Sequence, residues 1–244
     1  MARSRSGGSE AGPAFVLVTE TAPKSAASEA YRTLRTNIQF AGLDRPCKTI
    51  VITSAAPSEG KTTTAANFAV VCAQAGARVC LVDGDLRKPM IHTVFGLDNQ
   101  RGLTTALIEG KSLADVSVAT RVPNLFTVTT GPLPPNHAEL AASRRMHDLL
   151  EGGTRAFDLV LCDTPPVLSV SDAIAFAAQS DGVILVVRGH KTPAEAARRA
   201  VEQIDAVKGR ILGVVLNRVD YQSHGYYAGS HSYFHAYYGT DAKG

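Results

Sequence analysis

The stretch "KTIVITSAAPSEGKTTTAANFAVVCAQAG", Lys48 to Gly76, constrains the fold more than any other part of the chain. Lys48–Ala55 is β-branched and apolar without alternation, the pattern of a strand buried on both faces. From Thr62 onward Ala66, Phe68, Ala69, Val70 and Ala73 recur at helical spacing, and Gly76 ends the run. Between strand and helix lies "AAPSEGKTT", which fits the phosphate-loop pattern GxxxxGK[ST] except that Ala55 replaces the first glycine. Gly60 permits tight backbone curvature, and successive N–H groups at a helix start suit an anion. Ser58, Glu59, Gly60, Lys61, Thr62 and Thr63 are therefore the expected phosphate-binding residues. Lys61 can reach the β- and γ-phosphates, and the Thr62 hydroxyl can ligate Mg²⁺.

Further apolar runs read as strands: Ala77–Asp83, Asn124–Gly131, Phe157–Asp163, Gly182–Arg188 and Arg210–Asn217. Helical spacing falls between them, at Ala138–Glu151, Ser171–Gln179 and Pro193–Val207. A separate helix is expected over Ser25–Ala41, with Ala30, Leu34, Ile38 and Ala41 as its apolar positions. Uniformly apolar strands separated by helices predict an α/β fold of the P-loop NTPase type, a mostly parallel sheet with helices on both faces. Such sheets bind ligands at the C-terminal ends of their strands.

Those ends carry acidic and amide side chains. "CLVDGDLRKP" places Asp83 and Asp85 two residues apart at the end of the second strand, and "LVLCDTPP" ends a later strand at Asp163. An aspartate after an apolar strand is the usual second nucleotide motif, holding the Mg²⁺ shell opposite the loop threonine. The last strand ends at Asn217 and Arg218, placed to edge a base. Phosphates, a lysine, a hydroxyl and three carboxylates are the minimum for Mg–nucleotide chemistry. Asp83 is the candidate general base, Lys61 and Asp85 complete the catalytic set, and Thr62, Asp85 and Asp163 are the candidate Mg²⁺ ligands.

The 244 residues suit one large domain with tails, and 45% hydrophobic content is enough for a sizeable core. A formal net charge of +3 supplies no whole-chain argument for nucleic acid. The four cysteines lack CxxC pairing and read as reduced core thiols. Residues 1–24 read as a disordered leader without a signal segment, 25–219 as the catalytic domain, and 220–244 as a flexible tail. That tail, rich in glycine and serine, holds Tyr221, Tyr226, Tyr227, Tyr233, Tyr237 and Tyr238. Tyr31 lies apart from them, in the first helix, and is expected to pack.

The three motifs in this order, together with "EAYRTLR" (Glu29–Arg35), "HTVFGLDNQRGLTTAL", "GPLPPNHAEL" and the tyrosine-rich terminus, resemble the bacterial tyrosine kinases of capsular and exopolysaccharide export. The resemblance runs from about Val18 to the C-terminus. The lysine that partition and cell-division ATPases carry early in the loop is here Ala56. The resemblance implies a SIMIBI-like fold and transfer of phosphate from ATP, with Mg²⁺, to the tail tyrosines. It implies a ring, an octamer, formed through Glu29, Arg32 and Arg35, with tails phosphorylated in trans. It further implies a membrane adaptor of the polysaccharide co-polymerase type, a cognate tyrosine phosphatase, no nucleic-acid partner, and a cytoplasmic chain held at the inner membrane face by that adaptor.

Overall fold

The structure is a computed structural model, and it describes residues 15–219. Seven strands form one sheet: β1 (Thr49–Ser54), β2 (Val79–Asp83), β3 (Val118–Ala119), β4 (Leu125–Val128), β5 (Leu159–Asp163), β6 (Gly182–Arg188) and β7 (Ile211–Asn217). Their order is β3-β4-β2-β5-β1-β6-β7. Every neighbouring pair is parallel except β3 and β4, an antiparallel edge that the sequence pattern did not predict.

Helices cover both faces. One face carries α1 (Val18–Thr21), α2 (Ala26–Ala41), α3 (Lys61–Gln74) and α4 (Ile91–Phe95). The other carries α5 (Leu103–Glu109), α6 (Leu113–Val116), α7 (His137–Ala141), α8 (Arg144–Gly153), α9 (Asp172–Ala178) and α10 (Ala194–Ala206). Two apolar layers result, one centred on Phe68 and Ile52, the other on Phe176 and Met146. β1 is buried along its whole length, which is why its six residues show no polar alternation. The Thr64–Ala73 segment of α3 is buried all round because α1 and α2 lie over its outer face.

Three expectations need correction. The leader does not run unbroken to residue 24. Val18–Thr21 forms a helical turn, Leu17 is 1% exposed, and Thr19 gives Asn67 Oδ1 its N–H (3.1 Å) and its hydroxyl (2.8 Å). The single helix expected over 138–151 is two, α7 and α8. Ser143 interrupts it, in extended backbone, and its side chain accepts the Met146 N–H as the cap of α8. On α2, Ala30 is exposed, and the stripe facing the core runs through Tyr31, Leu34 and Ile38 instead. Tyr31 is thus a packing residue, as expected.

β1 lies between β5 and β6. The chain leaves β1 into α3 on one face and leaves β5 into α9 on the other. Connections that diverge from neighbouring strands open a crevice at the carboxyl ends, where such sheets take ligands.

Candidate active site

Sheet register assembles the site. Asp83 pairs with Asp163 across β2 and β5, and Asp163 with Ile52 of β1, so both acidic strand ends abut the loop that leaves β1. That loop reaches α3 through Ser58 (φ +64°) and Gly60 (φ +95°). The left-handed geometry at Gly60 favours glycine. A side chain there would also meet Asn217, whose Nδ2 would lie 2.0 Å from a Cβ.

Four predicted residues touch one another at the start of α3. Lys61 Nζ lies 3.0 Å from Asp85 Oδ2 and 3.4 Å from Asp163 Oδ1. The Thr62 hydroxyl donates to Asp163 Oδ2 at 2.6 Å. Burial would lower the Lys61 pKa, but the charges of Asp163 and Asp85 hold it above its ordinary value. Burial raises the Asp163 carboxyl, against the lowering effect of Lys61 and the Thr62 hydroxyl. Asp85 Oδ1 accepts the Lys88 N–H at 3.0 Å and the Arg87 N–H at 3.3 Å, which fixes the turn after β2.

Asp83 is fully buried. Its Oδ2 accepts two N–H groups, from Met90 and Ile91, both at 2.9 Å, and its Oδ1 only the Asp85 N–H at 3.3 Å. Burial, reinforced by the Asp163 charge, pushes its carboxyl up to about 7, while the Ile91 N–H and Lys61 pull the other way. A carboxyl poised there can exchange a proton near neutral pH.

Asn217 donates from Nδ2 to the Glu59 carbonyl at 2.8 Å and accepts the Arg218 N–H at 2.9 Å. A primary amide has two N–H groups and two carbonyl lone pairs, so one of each remains for a base edge. The Glu59 side chain turns away from the cradle into the protein and is 4% exposed. On α2, Arg32 pairs with Glu29 at 2.9 Å, whereas Arg35 reaches inward to the Val71 carbonyl at 3.1 Å. The three charges therefore do not all project from one outward face. The six tail tyrosines, from Tyr221 to Tyr238, lie outside the described residues.

Two partners escaped the sequence reading. Asp172, fully buried at the start of α9, takes Arg87 in a two-point pair (2.9 and 3.2 Å), anchoring the loop after Asp85. Thr192, in the loop after β6, donates its hydroxyl to Glu59 Oε1. Asp172 had a weak signal in the acidic start of a helix; Thr192 had none.

Among known proteins, a family model described as an AAA domain matches residues 47–215. The tyrosine-protein kinase YwqD of Bacillus subtilis (strain 168) is 45% identical over 224 residues, covering 92% of this chain and 91% of that protein. The crystal structure of the chimerical protein CapA2B2 is 41% identical, with a TM-score of 0.79 over 83% of this chain and 89% of that one. The kinase domain of the Escherichia coli tyrosine kinase ETK is 31% identical, with a TM-score of 0.79 over 92% of this chain and 88% of that one. Identity and coverage of this order, on a phosphate-loop fold with its acidic strand ends in place, mean that the chain belongs to the bacterial tyrosine-protein kinase family.

Proposed function

We propose that this kinase transfers the γ-phosphate of ATP to tyrosines of its own C-terminal cluster, between subunits of a ring. The observation that carries the reading is the convergence of Lys61, Thr62, Asp85 and Asp163 at the anion-binding start of α3. Phosphoryl transfer depends mainly on positioning and charge neutralisation, and these residues supply both. Lys61 reaches both Asp85 and Asp163 from the start of the loop helix. Phosphates arriving in the loop offer it a stronger partner and release Asp85 and Asp163.

The donor set fits Mg²⁺. It is all oxygen, and the carboxylates of Asp85 and Asp163 against the Lys61 ammonium leave a formal charge of −1. Thr62, Asp85 and Asp163 would hold the ion. When bound, Mg²⁺ neutralises charge on the phosphate oxygens. The loop N–H groups from Ser58 to Thr63 orient the phosphates, and Asn217 and Arg218 edge the base. Asp83 takes the tyrosine proton through Oδ1, its less engaged oxygen. A phenol with a pKa near ~10 needs such a base at neutral pH.

Glu29 and Arg32 form the contact between subunits, Arg35 joining it only when it leaves the Val71 carbonyl, and the ring is an octamer. The partner is a membrane adaptor of the polysaccharide co-polymerase kind, and the output is control of capsule or exopolysaccharide length, reset by a tyrosine phosphatase. Among the described residues no helix is long and apolar enough to cross a membrane, so this chain would meet the membrane through that adaptor. The test mixes two forms with Mg-ATP and blots for phosphotyrosine: a Lys61→Met chain with its tail, and an active chain ending at Val219. Phosphate should appear on the Lys61→Met chain only when the active partner is present. A full-length Lys61→Met chain that labels itself alone would overturn the role of Lys61, and one that stays unlabelled in the mixture would overturn transfer in trans.

A further inference from the structure

Glu59 is an acid in the middle of a loop built to hold an anion. A free carboxylate there would repel the phosphates. It is instead 4% exposed and spent on internal bonds. Oε2 accepts the Ala56 N–H at 2.9 Å, three residues back, and Oε1 accepts the Thr192 hydroxyl. Thr192 is itself fixed, because its Oγ1 accepts the Arg188 N–H at 2.9 Å at the end of β6. The Glu59 carbonyl accepts Asn217 Nδ2 at 2.8 Å, from the end of β7. Glu59 also lies between the two left-handed residues of the loop, Ser58 (φ +64°) and Gly60 (φ +95°). A serine in that conformation is strained and persists only where its surroundings hold it.

We propose that Glu59 and Thr192 form a clamp, closed from the other side by Asn217, that sets the curvature of the phosphate loop and turns the Glu59 charge away from the bound phosphates. Both are positioning residues. Neither side chain touches nucleotide, and both act through the loop backbone. The clamp joins three chain segments, β1–α3, β6–α10 and the end of β7, so the loop takes its shape from two strands besides its own. Breaking it has two consequences. The Ala56 and Ser58 backbone relaxes, and a buried carboxylate that has lost a donor swings toward solvent, where the phosphates lie.

The inference rests on the nucleotide reading of the site, and the experiment separates the two. Affinity for Mg·ADP carrying a fluorescent ribose label is titrated on full-length wild type, Thr192→Val, Thr192→Ser, Glu59→Leu and the Thr192→Val/Glu59→Leu pair, with melting temperature recorded for each. Thr192→Val keeps the shape and removes the donor. It should weaken binding by roughly tenfold or more, the scale of a lost bond to a buried charge. Thr192→Ser should restore most of the affinity. The double variant should bind no more weakly than Glu59→Leu alone, because Glu59→Leu already removes the acceptor that Thr192→Val leaves without its donor. In autophosphorylation the loss should fall on KM for ATP more than on kcat, which a merely structural defect would not produce. Wild type that binds no nucleotide overturns the underlying reading. Wild type that binds, with Thr192→Val equally tight or with the two changes additive, overturns the clamp alone. Should Thr192→Val fail to fold, Thr192→Ser against Glu59→Leu decides. The clamp stands if Thr192→Ser binds as wild type and Glu59→Leu binds weakly, and it falls if Glu59→Leu matches wild type.

Discussion

Asp83 shows how one buried side chain links chemistry to stability. Its carboxyl sits at about 7, mainly through burial, whereas an unfolded aspartate titrates near ~3.9. Between about pH 4 and pH 7 the native state therefore binds more protons than the unfolded chain, and stability contributed by this group falls as pH rises through that window. Asp83→Asn deletes the titration. The melting temperature of the nucleotide-free variant should fall less between about pH 5 and pH 7.5 than that of wild type. Parallel melting curves for the two proteins would contradict the origin assigned to the shift. The residues that meet at the site, Lys61, Thr62, Asp83, Asp85 and Asp163, were legible in the sequence because each lies at a strand end or helix start. A strand end is a local signal. Thr192 and Asp172 were not legible, because they reach Glu59 and Arg87 across 133 and 85 residues, respectively, and nothing local marks those pairings.

Element lengths explain most of the remaining differences. Long strands and α3 declared themselves through period and composition. α4, α5 and α6, of five, seven and four residues, are too short to show a helical period, and β3, of two residues, shows no strand period either. The break between α7 and α8 hides in "HAELAASRRMHDLL", a run rich in Ala, Leu and Arg with no glycine or proline to mark a boundary. Serine becomes a boundary only when the backbone ahead of α8 turns extended and the hydroxyl takes the Met146 N–H. Ser143→Ala should cost about 1 kcal/mol, the usual worth of such a cap, read as a lowered denaturation midpoint with an unchanged slope. No measurable change would mean that packing of Met146 and Leu150 alone sets the start of α8. At this scale α1 also gains meaning. Through Thr19 and Asn67 it is tied to α3, and Asn67 Nδ2 in turn donates to the Thr63 carbonyl at 2.8 Å, one residue past the loop threonine.

At the scale of the molecule, the shared direction of six strands, all but β3, puts their carboxyl ends and the groups with chemistry on one rim of the sheet. β7 runs parallel to its neighbour β6 and so finishes on the active rim, with Asn217 bonded to the phosphate loop itself. The described chain therefore ends beside the catalytic edge, and the number of residues past Asn217 sets the farthest point that each tyrosine of the cluster can reach. Tyr221 lies four residues past Asn217 and can extend at most about 14 Å from it; Tyr238, twenty-one residues past, can extend about 75 Å. If transfer crosses between subunits, Tyr237 and Tyr238 should gain phosphate before Tyr221, as a mass-spectrometric time course at limiting ATP would record. Had the final strand run antiparallel, residue 219 would lie at the opposite rim, and the about 14 Å that Tyr221 can span at most would be used up along the length of the sheet before it came near the phosphate loop.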